Sequence, residues 1–259
     1  MLTWQTGVNI DHSAMKNTTM NNSNQPTGRE RAQKTMHTII DPLVKFLIKI
    51  GLTPNGVTTI GFLLNLTVAV LFILGAERGE RADLSVVGWG GFLMLIAGLF
   101  DMLDGQVARI GKMTSRFGAF YDSVMDRYSE LVVFLGICWY LIAHGYFLSS
   151  VFAFVAVIGS VMVSYIRARA EAVGVECSGG FMQRPERVVL VGTAAWACGI
   201  TSHYVGGDFK IDIDGLPFPI FETMTIFTLP VGIMGVLANH TAYQRLMTVR
   251  NSLLKMEKK

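Results

Sequence analysis

The segment DMLDGQVARIGKMTSRFGAFYDSVMD, residues 101–126, carries four aspartates in a part of the chain that is otherwise apolar enough to lie in lipid. A carboxylate near the centre of a membrane costs roughly 2.5–3.5 kcal/mol on insertion scales, so four of them indicate a function rather than packing alone. On helices, residues 101 and 104 share one face, and residues 122 and 126 share another. The spacing therefore predicts an enzyme in which two helices enclose a divalent metal ion, with four ligands: Asp101, Asp104, Asp122 and Asp126.

The composition around this segment is that of an integral membrane protein. Apolar residues make up 51% of the 259 residues and charged residues only 16%, which is unusual for a soluble domain. At about 20 apolar residues per spanning helix, six spans are predicted near residues 56–76, 84–100 with a continuation to 108, 117–143, 147–166, 188–200 with flanks, and 221–236. The predicted fold class is all-α, a polytopic membrane protein with six transmembrane helices.

The two ends of the chain differ from this membrane domain, which we assign to residues 52–242. Residues 1–28 are polar and lack an apolar run that could act as a signal peptide, so a disordered tail is predicted. Residues 29–51 alternate apolar and basic positions at helical spacing, which favours an amphipathic helix at the membrane interface. A cytosolic coil is the alternative, and Gly51 is expected to end the helix. Residues 243–259 are predicted to form a basic cytoplasmic tail.

The charges of the loops orient the chain in the membrane, because Lys and Arg near short loops stay cytoplasmic far more often than acidic residues do. Six Lys and Arg precede Thr53, three lie in residues 109–116, four in residues 167–187 and five after Tyr243. The opposite loops carry mainly acidic residues: Glu77, Glu80, Asp83, Asp208, Asp212 and Asp214, beside Arg78, Arg81 and Lys210. We therefore predict a multi-pass protein of the cytoplasmic membrane whose aspartates face the cytoplasm, and no nucleic-acid partner.

Other residues in register with the aspartates extend the motif. Gly105, Ala108 and Arg109 follow Asp104, and eight residues separate Arg109 from Gly118, which precedes the last two aspartates. This pattern resembles the signature of the CDP-alcohol phosphotransferases, membrane enzymes that transfer a phosphatidyl-type group from a CDP-linked lipid to an alcohol and release CMP. The resemblance implies that Asp126 is the base that takes the proton of the acceptor hydroxyl.

The chemistry of such a transfer requires these residue types. An acceptor oxygen attacks a phosphorus that carries negative charge, so one or two Mg²⁺ or Mn²⁺ ions are needed, and we expect two. Hard cations take oxygen ligands, which aspartates supply. Gly105 and Gly118 leave room for a nucleotide near the backbone. Arg109 offers a planar fork of donors to phosphate oxygens.

Three further segments resemble one branch of the family, the prokaryotic phosphatidylinositol-phosphate synthases, which use L-myo-inositol 1-phosphate as acceptor. They are LTPNGVT at residues 52–58, SYIRARAEAVG at residues 164–174 and GGFMQRPERVVLV at residues 179–191. The resemblance implies a homodimer and contacts to CDP-diacylglycerol from Thr53, Pro54, Asn55, Gly56, Gly105, Arg109 and Ser115. Asn55 stands where the branch usually has Asp or another small polar residue, Ser115 where it often has Thr, and Arg167 where it typically has Lys.

A phosphorylated acceptor needs a cationic pocket. Four arginines near the cytoplasmic ends of the fourth and fifth spans suit a phosphomonoester: Arg167, Arg169, Arg184 and Arg187. Their alternative role is that of ordinary anchors on the positive side of the membrane. Arg127 and Glu130, three residues apart, are expected to pair with each other on one helix.

Three other functions stay open at this point. The acceptor could be glycerol 3-phosphate, free inositol or serine, which relatives with the same aspartates use. A membrane prenyltransferase also holds Mg²⁺ with aspartates, although such enzymes usually have more spans and lack the intervening glycine and arginine. A cation transporter would need carboxylates accessible from both faces, whereas all four aspartates lie toward one. The three cysteines form no CxxC pair, so neither a disulfide framework nor a zinc site is expected.

Overall fold

The structure, a computed structural model, describes residues 41–177, 182–211, 219 and 221–257. These residues form helix α1 at 41–49, α2 Pro54–Arg78, α3 Ser85–Ile110, α4 Arg116–Ala143, α5 Phe147–Ala172, α6 Arg184–Val205 and α7 Thr225–Glu257. Strands β1 Lys210–Ile211 and β2 Phe221–Glu222 form an antiparallel pair between α6 and α7. The predicted tail at 1–28 and the first part of the predicted amphipathic helix lie outside the described residues.

The fold is all-helical and that of a multi-pass membrane protein. Five helices among the described residues are long and apolar enough to cross a membrane, namely α2, α3, α5, α6 and α7. Helix α4 has 28 residues, but its first half carries Asp122, Asp126, Arg127 and Glu130. These charges lower its apolar character below that of the other five, although it packs extensively against α2.

The last helix differs from its prediction at both ends. The sixth span was expected to begin near 221, but Phe221 pairs with Ile211 in the short sheet, and α7 begins at Thr225. Helix α7 then continues without a break to Glu257, across the expected boundary at 243. The extension packs against α5, where Arg245 Nη1 donates to the carbonyl of Val163 at 2.7 Å. The predicted basic tail is therefore helical as far as Glu257.

Small residues bring the helices close together. A Cβ on Gly136 of α4 would lie 2.8 Å from the Cα of Ala69 in α2, and one on Gly88 of α3 would lie 2.9 Å from the Cα of Gly199 in α6. Gly159 meets Asn239 of α7 in the same way. Small residues let helix backbones approach closely, which is the main source of packing energy between helices in lipid. These glycines therefore serve contacts within one chain.

Helix α1 packs on the end of α3 that carries the first two aspartates. Its buried residues Val44 and Leu47 form a small apolar cluster with Val57, Leu103 and Val107. Gly51, with φ of +82°, ends the segment as expected, because this conformation strains any residue with a Cβ. The neighbouring face of α1 leaves three apolar side chains exposed: Leu43, Phe46 and Ile50.

The loops at the other end of the bundle hold a separate polar cluster. Glu222 of β2 pairs with Arg81 at 3.5 Å and with Lys210 at 3.7 Å. The guanidinium of Arg81 also lies 4.7 Å from the centre of the Tyr146 ring. The hydroxyl of Ser85 and, at 3.0 Å, its backbone N–H donate hydrogen bonds to Asp83, and these bonds lower the pKa of the Asp83 carboxyl group. This cluster ties three loops together, far from the four aspartates.

Candidate active site

The four aspartates lie where α3 ends and α4 begins. Asp101 and Asp104 belong to the last turns of α3, which ends at Ile110, and Asp122 and Asp126 belong to the first turns of α4. Ser115 caps α4 by accepting a hydrogen bond from the N–H of Gly118 at 2.9 Å. The carboxyl group of Asp122 interacts with those of both Asp104 and Asp126. The turn between the two helices thus brings carboxylates from both into one cluster.

Helix α2 holds this cluster from the side. Thr58 Oγ1 donates to Asp104 Oδ2 at 2.7 Å, and both residues are buried. The adjacent Thr59 makes a hydrogen bond of 2.9 Å with the hydroxyl of Tyr121 on α4. Sequence reasoning did not single out Thr58, although it ends the LTPNGVT segment. Its role depends on α2 lying beside α3, which no pattern within the segment reveals.

Arg184 of α6 contributes a positive charge to the cluster. Its Nη1 lies 2.7 Å from Asp101 Oδ2 and 2.8 Å from Asp126 Oδ1. Its Nε is buried and has no hydrogen-bond partner in the described part of the chain. Arg184 was predicted to bind the acceptor phosphate, which stays a prediction; the structure shows it bridging two of the predicted metal ligands.

The donor set suits a hard divalent cation, since it consists of carboxylate oxygens gathered in a half-buried site. Across residues 41–177, 182–211, 219 and 221–257, however, no three Asp, Glu, His or Cys side chains are arranged around one point as metal ligands. The guanidinium between Asp101 and Asp126 separates these two carboxylates. The assignment of all four aspartates as metal ligands stays a prediction that fits the chemistry of the donors.

A cavity of about 250 Å³ opens beside Asp104 and Asp122. Four of the residues predicted to contact CDP-diacylglycerol line it: Pro54, Asn55, Gly105 and Ser115. The first turns of α2 and α4 both border the cavity, and helix N-termini attract anions. A Cβ on Gly118 would lie 2.9 Å from Ser115 Oγ and 3.2 Å from Asn55 Oδ1, so this glycine keeps the cavity open.

The other three predicted contacts lie just outside this lining. Thr53 caps α2 by accepting from the N–H of Gly56 at 3.2 Å, so these two residues serve the helix start. Arg109 is exposed, and its Nε donates to the carbonyl of Gly105 at 3.1 Å. A direct role of these three residues in binding CDP-diacylglycerol remains a prediction.

A second cavity of about 650 Å³ lies between α4, α5, α6 and α7. Three of the four predicted acceptor arginines line it, namely Arg167, Arg184 and Arg187, whereas Arg169 is exposed and does not. Two further arginines, Arg127 and Arg245, also line it. Sequence reasoning counted Arg245 only as part of the basic tail, because the continuation of α7 beside α5 was not foreseen.

The predicted pair of Arg127 with Glu130 is wrong. Glu130 pairs instead with Arg187 of α6, whose Nε lies 3.1 Å from Glu130 Oε1. Arg127 Nη1 donates to Ser164 Oγ of α5. Arg127 and Glu130 lie on one helix, but Arg127 contacts α5 and Glu130 contacts α6. Tertiary packing therefore determines the partner of each charge here.

The two cavities meet. Ala119 and Asp122 of α4 line both of them, so the cavities share an edge at one turn of helix next to Asp126. A molecule in each cavity would therefore have its reactive end beside the same carboxylates. This arrangement suits an enzyme that joins two substrates.

Comparisons with known proteins agree with this geometry. The family model CDP-alcohol phosphatidyltransferase matches residues 51–243, and the chain belongs to this family. The phosphatidylinositol phosphate synthase of Mycobacteroides abscessus is 32% identical over 224 residues, covering 85% of this chain and 88% of that protein. The synthase of the same name from Mycobacterium bovis is 33% identical over 215 residues, covering 83% and 87%.

Solved structures of a similar protein share the fold. The phosphatidylinositol phosphate synthase of Mycobacterium tuberculosis with CDP-DAG bound superposes with a TM-score of 0.64 at 30% identity, covering 82% of this chain and 94% of that one. The same protein in complex with manganese and citrate gives a TM-score of 0.61 at 29% identity, covering 80% and 87%.

Proposed function

We propose that this protein transfers the phosphatidyl group of CDP-diacylglycerol to L-myo-inositol 1-phosphate, giving phosphatidylinositol phosphate and CMP. A hydroxyl oxygen of the acceptor forms a bond to the phosphorus that carries diacylglycerol. The bond from that phosphorus to the oxygen of CMP breaks, and CMP leaves with the bonding electron pair. The relatives of the same name and their family support this reaction class.

The observation that carries the proposal is the junction of the two cavities at Ala119 and Asp122. The diphosphate of the donor would lie in the first cavity, near the N-termini of α2 and α4, where backbone N–H groups attract anions. The acceptor would lie in the second cavity with its hydroxyl toward Asp126. The bond-forming oxygen of the acceptor and the phosphorus of the donor would then meet where the two cavities adjoin, beside Asp122.

The charge of the second cavity supports a phosphorylated acceptor. Three arginines from three helices line it besides those of α6: Arg127 of α4, Arg167 of α5, which also pairs with Glu171 at 3.0 Å, and Arg245 of α7. Guanidinium groups bind phosphomonoesters through paired hydrogen bonds. Inositol 1-phosphate and glycerol 3-phosphate carry a phosphomonoester, whereas free inositol and serine do not, so the arginines favour the first two as acceptors.

We further propose that the four aspartates hold two divalent ions, Mg²⁺ or Mn²⁺. The family and the manganese-bound relative support the use of a divalent metal. Such ions neutralise the diphosphate and hold its oxygens in line when bound. Arg184 lies where it can meet the acceptor phosphate from α6, since it lines the second cavity while it bridges Asp101 and Asp126.

Asp126 is the proposed base. It lines the second cavity and not the first, so it faces the acceptor rather than the nucleotide. Its carboxylate takes the proton of the attacking hydroxyl, and the positive charge of Arg184 lies 2.8 Å from it. General base action of this kind typically contributes about 10²–10⁴-fold in rate.

We place the protein in the cytoplasmic membrane with α4 as a sixth spanning helix and α1 in the interface. The length of α4 and its apolar second half support the sixth span. The exposed apolar side chains of α1 beside Lys45 and Lys49 support an interfacial position. The basic loops at the aspartate end favour a cytoplasmic active site, with the basic end of α7 on the same side. A homodimer is proposed from the family resemblance.

A CMP-release assay on the purified protein in lipid tests the reaction. CMP should appear only when CDP-diacylglycerol, Mg²⁺ or Mn²⁺ and inositol 1-phosphate are all present. Asp126→Asn should lower the rate at least about 10²-fold while the protein stays folded. Asp208→Asn, a change of the same type at an exposed position in the opposite loops, should have wild-type rates. Equal rates with glycerol 3-phosphate would overturn the acceptor assignment, and wild-type rates in Asp126→Asn would overturn the base.

A further inference from the structure

Two ion pairs are stacked between α4 and α6. Asp126 and Glu130 are one turn apart on α4, and Arg184 and Arg187 are one turn apart on α6. The outer pair, Asp126 with Arg184, has 16% of each side chain exposed. The inner pair, Glu130 with Arg187, is buried more deeply, with 7% and 2% exposed. The inner pair therefore forms a second layer directly behind the residues proposed to meet the acceptor.

The inner pair is bound to two further parts of the chain. Arg187 donates through Nε and Nη2 to the two oxygens of Glu130, at 3.1 and 3.5 Å. Its Nη1 donates to the carbonyl of Met182 at 2.8 Å, in the segment that leads into α6. Ser160 of α5 donates to Glu130 Oε1. One buried ion pair thus fixes α4, α5 and the start of α6 relative to each other.

This contact controls where the first turn of α6 lies. Gln183 and Arg184 follow Met182 directly, and both line the second cavity. Because a helix is rigid over one turn, a shift of Arg187 also moves Arg184 away from Asp126. A displacement of about 1 Å in a positioning group can cost about 10²-fold in rate. The first cavity has no lining residue from α6, so this shift should leave the binding of the donor unchanged.

We propose that Glu130 and Arg187 are positioning residues for the acceptor. They set the first turn of α6 so that Gln183 and Arg184 face Asp126 and the acceptor across the second cavity. The proposal rests on the transferase function proposed above and concerns the acceptor side only. It also changes the role of Arg187, which binds Glu130 and Met182 instead of offering these donors to the acceptor phosphate.

The test separates positioning from simple stabilisation by removing one charge or both. Glu130→Gln and Arg187→Met each leave one buried charge without its partner, so the melting temperature should fall by about 10 °C. The double variant Glu130→Gln, Arg187→Met removes both charges and should regain most of the lost stability, since a buried ion pair can be replaced by neutral residues at little cost. It does not regain the bond to Met182.

The expected result is that the acceptor KM rises about tenfold in the single variants and stays raised in the double variant. The KM for CDP-diacylglycerol should stay within about twofold of wild type. An acceptor KM that returns to the wild-type value together with the melting temperature would overturn the proposal, because the pair would then act only through stability. Glu222→Gln, a carboxylate paired with Arg81 and Lys210 in the opposite loops, should leave both KM values unchanged.

The identity of the acceptor is checked separately in the wild-type protein, with inositol 1-phosphate and glycerol 3-phosphate as the two probes. A wild type that prefers glycerol 3-phosphate contradicts the proposed acceptor. The ratio of acceptor KM values between variants and wild type is measured with the preferred probe, so it reports on Glu130 and Arg187 whichever acceptor is used.

Discussion

The hydrogen bond from Thr58 to Asp104 offers a direct measure of how much α2 contributes to the site. Thr58→Val keeps the shape of the side chain and removes the hydroxyl that donates to Asp104 Oδ2 at 2.7 Å. Asp104 is 5% exposed, so water does not readily replace the lost donor. The same hydroxyl lies 3.1 Å from the carbonyl of Pro54, but it has one hydrogen, and the shorter contact to the carboxylate takes it.

The magnitude follows from the charge and burial of the acceptor atom. A hydrogen bond to a charged group contributes about 1.5–3 kcal/mol, and each 1.4 kcal/mol corresponds to about tenfold. Thr58→Val should therefore lower kcat/KM for CDP-diacylglycerol by about 10- to 100-fold, because Asp104 borders the first cavity and is a proposed metal ligand. The melting temperature should fall by about 3–12 °C, at about 2–4 °C per kcal/mol for a protein of this size.

The assay is CMP release at saturating inositol 1-phosphate over a range of donor and Mn²⁺ concentrations. Thr67→Val is the matched control, because Thr67 lies on the same helix, is exposed and donates only to the carbonyl of Leu63 at 2.8 Å. If both valine variants retain wild-type kcat/KM, the hydrogen bond from Thr58 does not orient Asp104, and its predicted contribution to the site is refuted. If both lose activity equally, the effect belongs to helix α2 in general rather than to this bond.

Two further changes test the cavities. Gly118→Val should raise the KM for CDP-diacylglycerol at least about tenfold, because its Cβ would lie 2.9 Å from Ser115 Oγ and the side chain would fill the first cavity. The control is Gly232→Val, where a Cβ would meet only Phe152 at 3.9 Å, and this variant should keep the wild-type KM. Arg167→Ala should raise the KM for inositol 1-phosphate about tenfold and leave the KM for CDP-diacylglycerol unchanged, since Arg167 lines only the second cavity. The control is Arg250→Ala, which removes an exposed arginine of α7. Equal effects of the two variants would show that only general positive charge matters.

Much of the architecture could be predicted from the chain because the relevant signals are local. Apolar runs of about 20 residues report the spanning helices directly, since a bilayer accepts little else. The boundary errors occurred where local signals compete with tertiary contacts. Phe221 is apolar enough to begin a span, but its backbone pairs with Ile211, and α7 continues past 243 because Arg245 and its neighbours pack against α5.

The sequence by itself determined the family, the all-α membrane fold and the placement of the four aspartates on two successive helices, because fixed spacings along the chain carry that information. Only the tertiary structure decided which charge meets which. Glu130 pairs with Arg187 rather than with Arg127, Arg184 bridges Asp101 and Asp126, and Arg245 reaches the second cavity. The physical reason is that a buried charge pairs with the best-placed partner in space, and the ion-pair partners of Glu130 and Arg184 are 57 or more residues away in the chain.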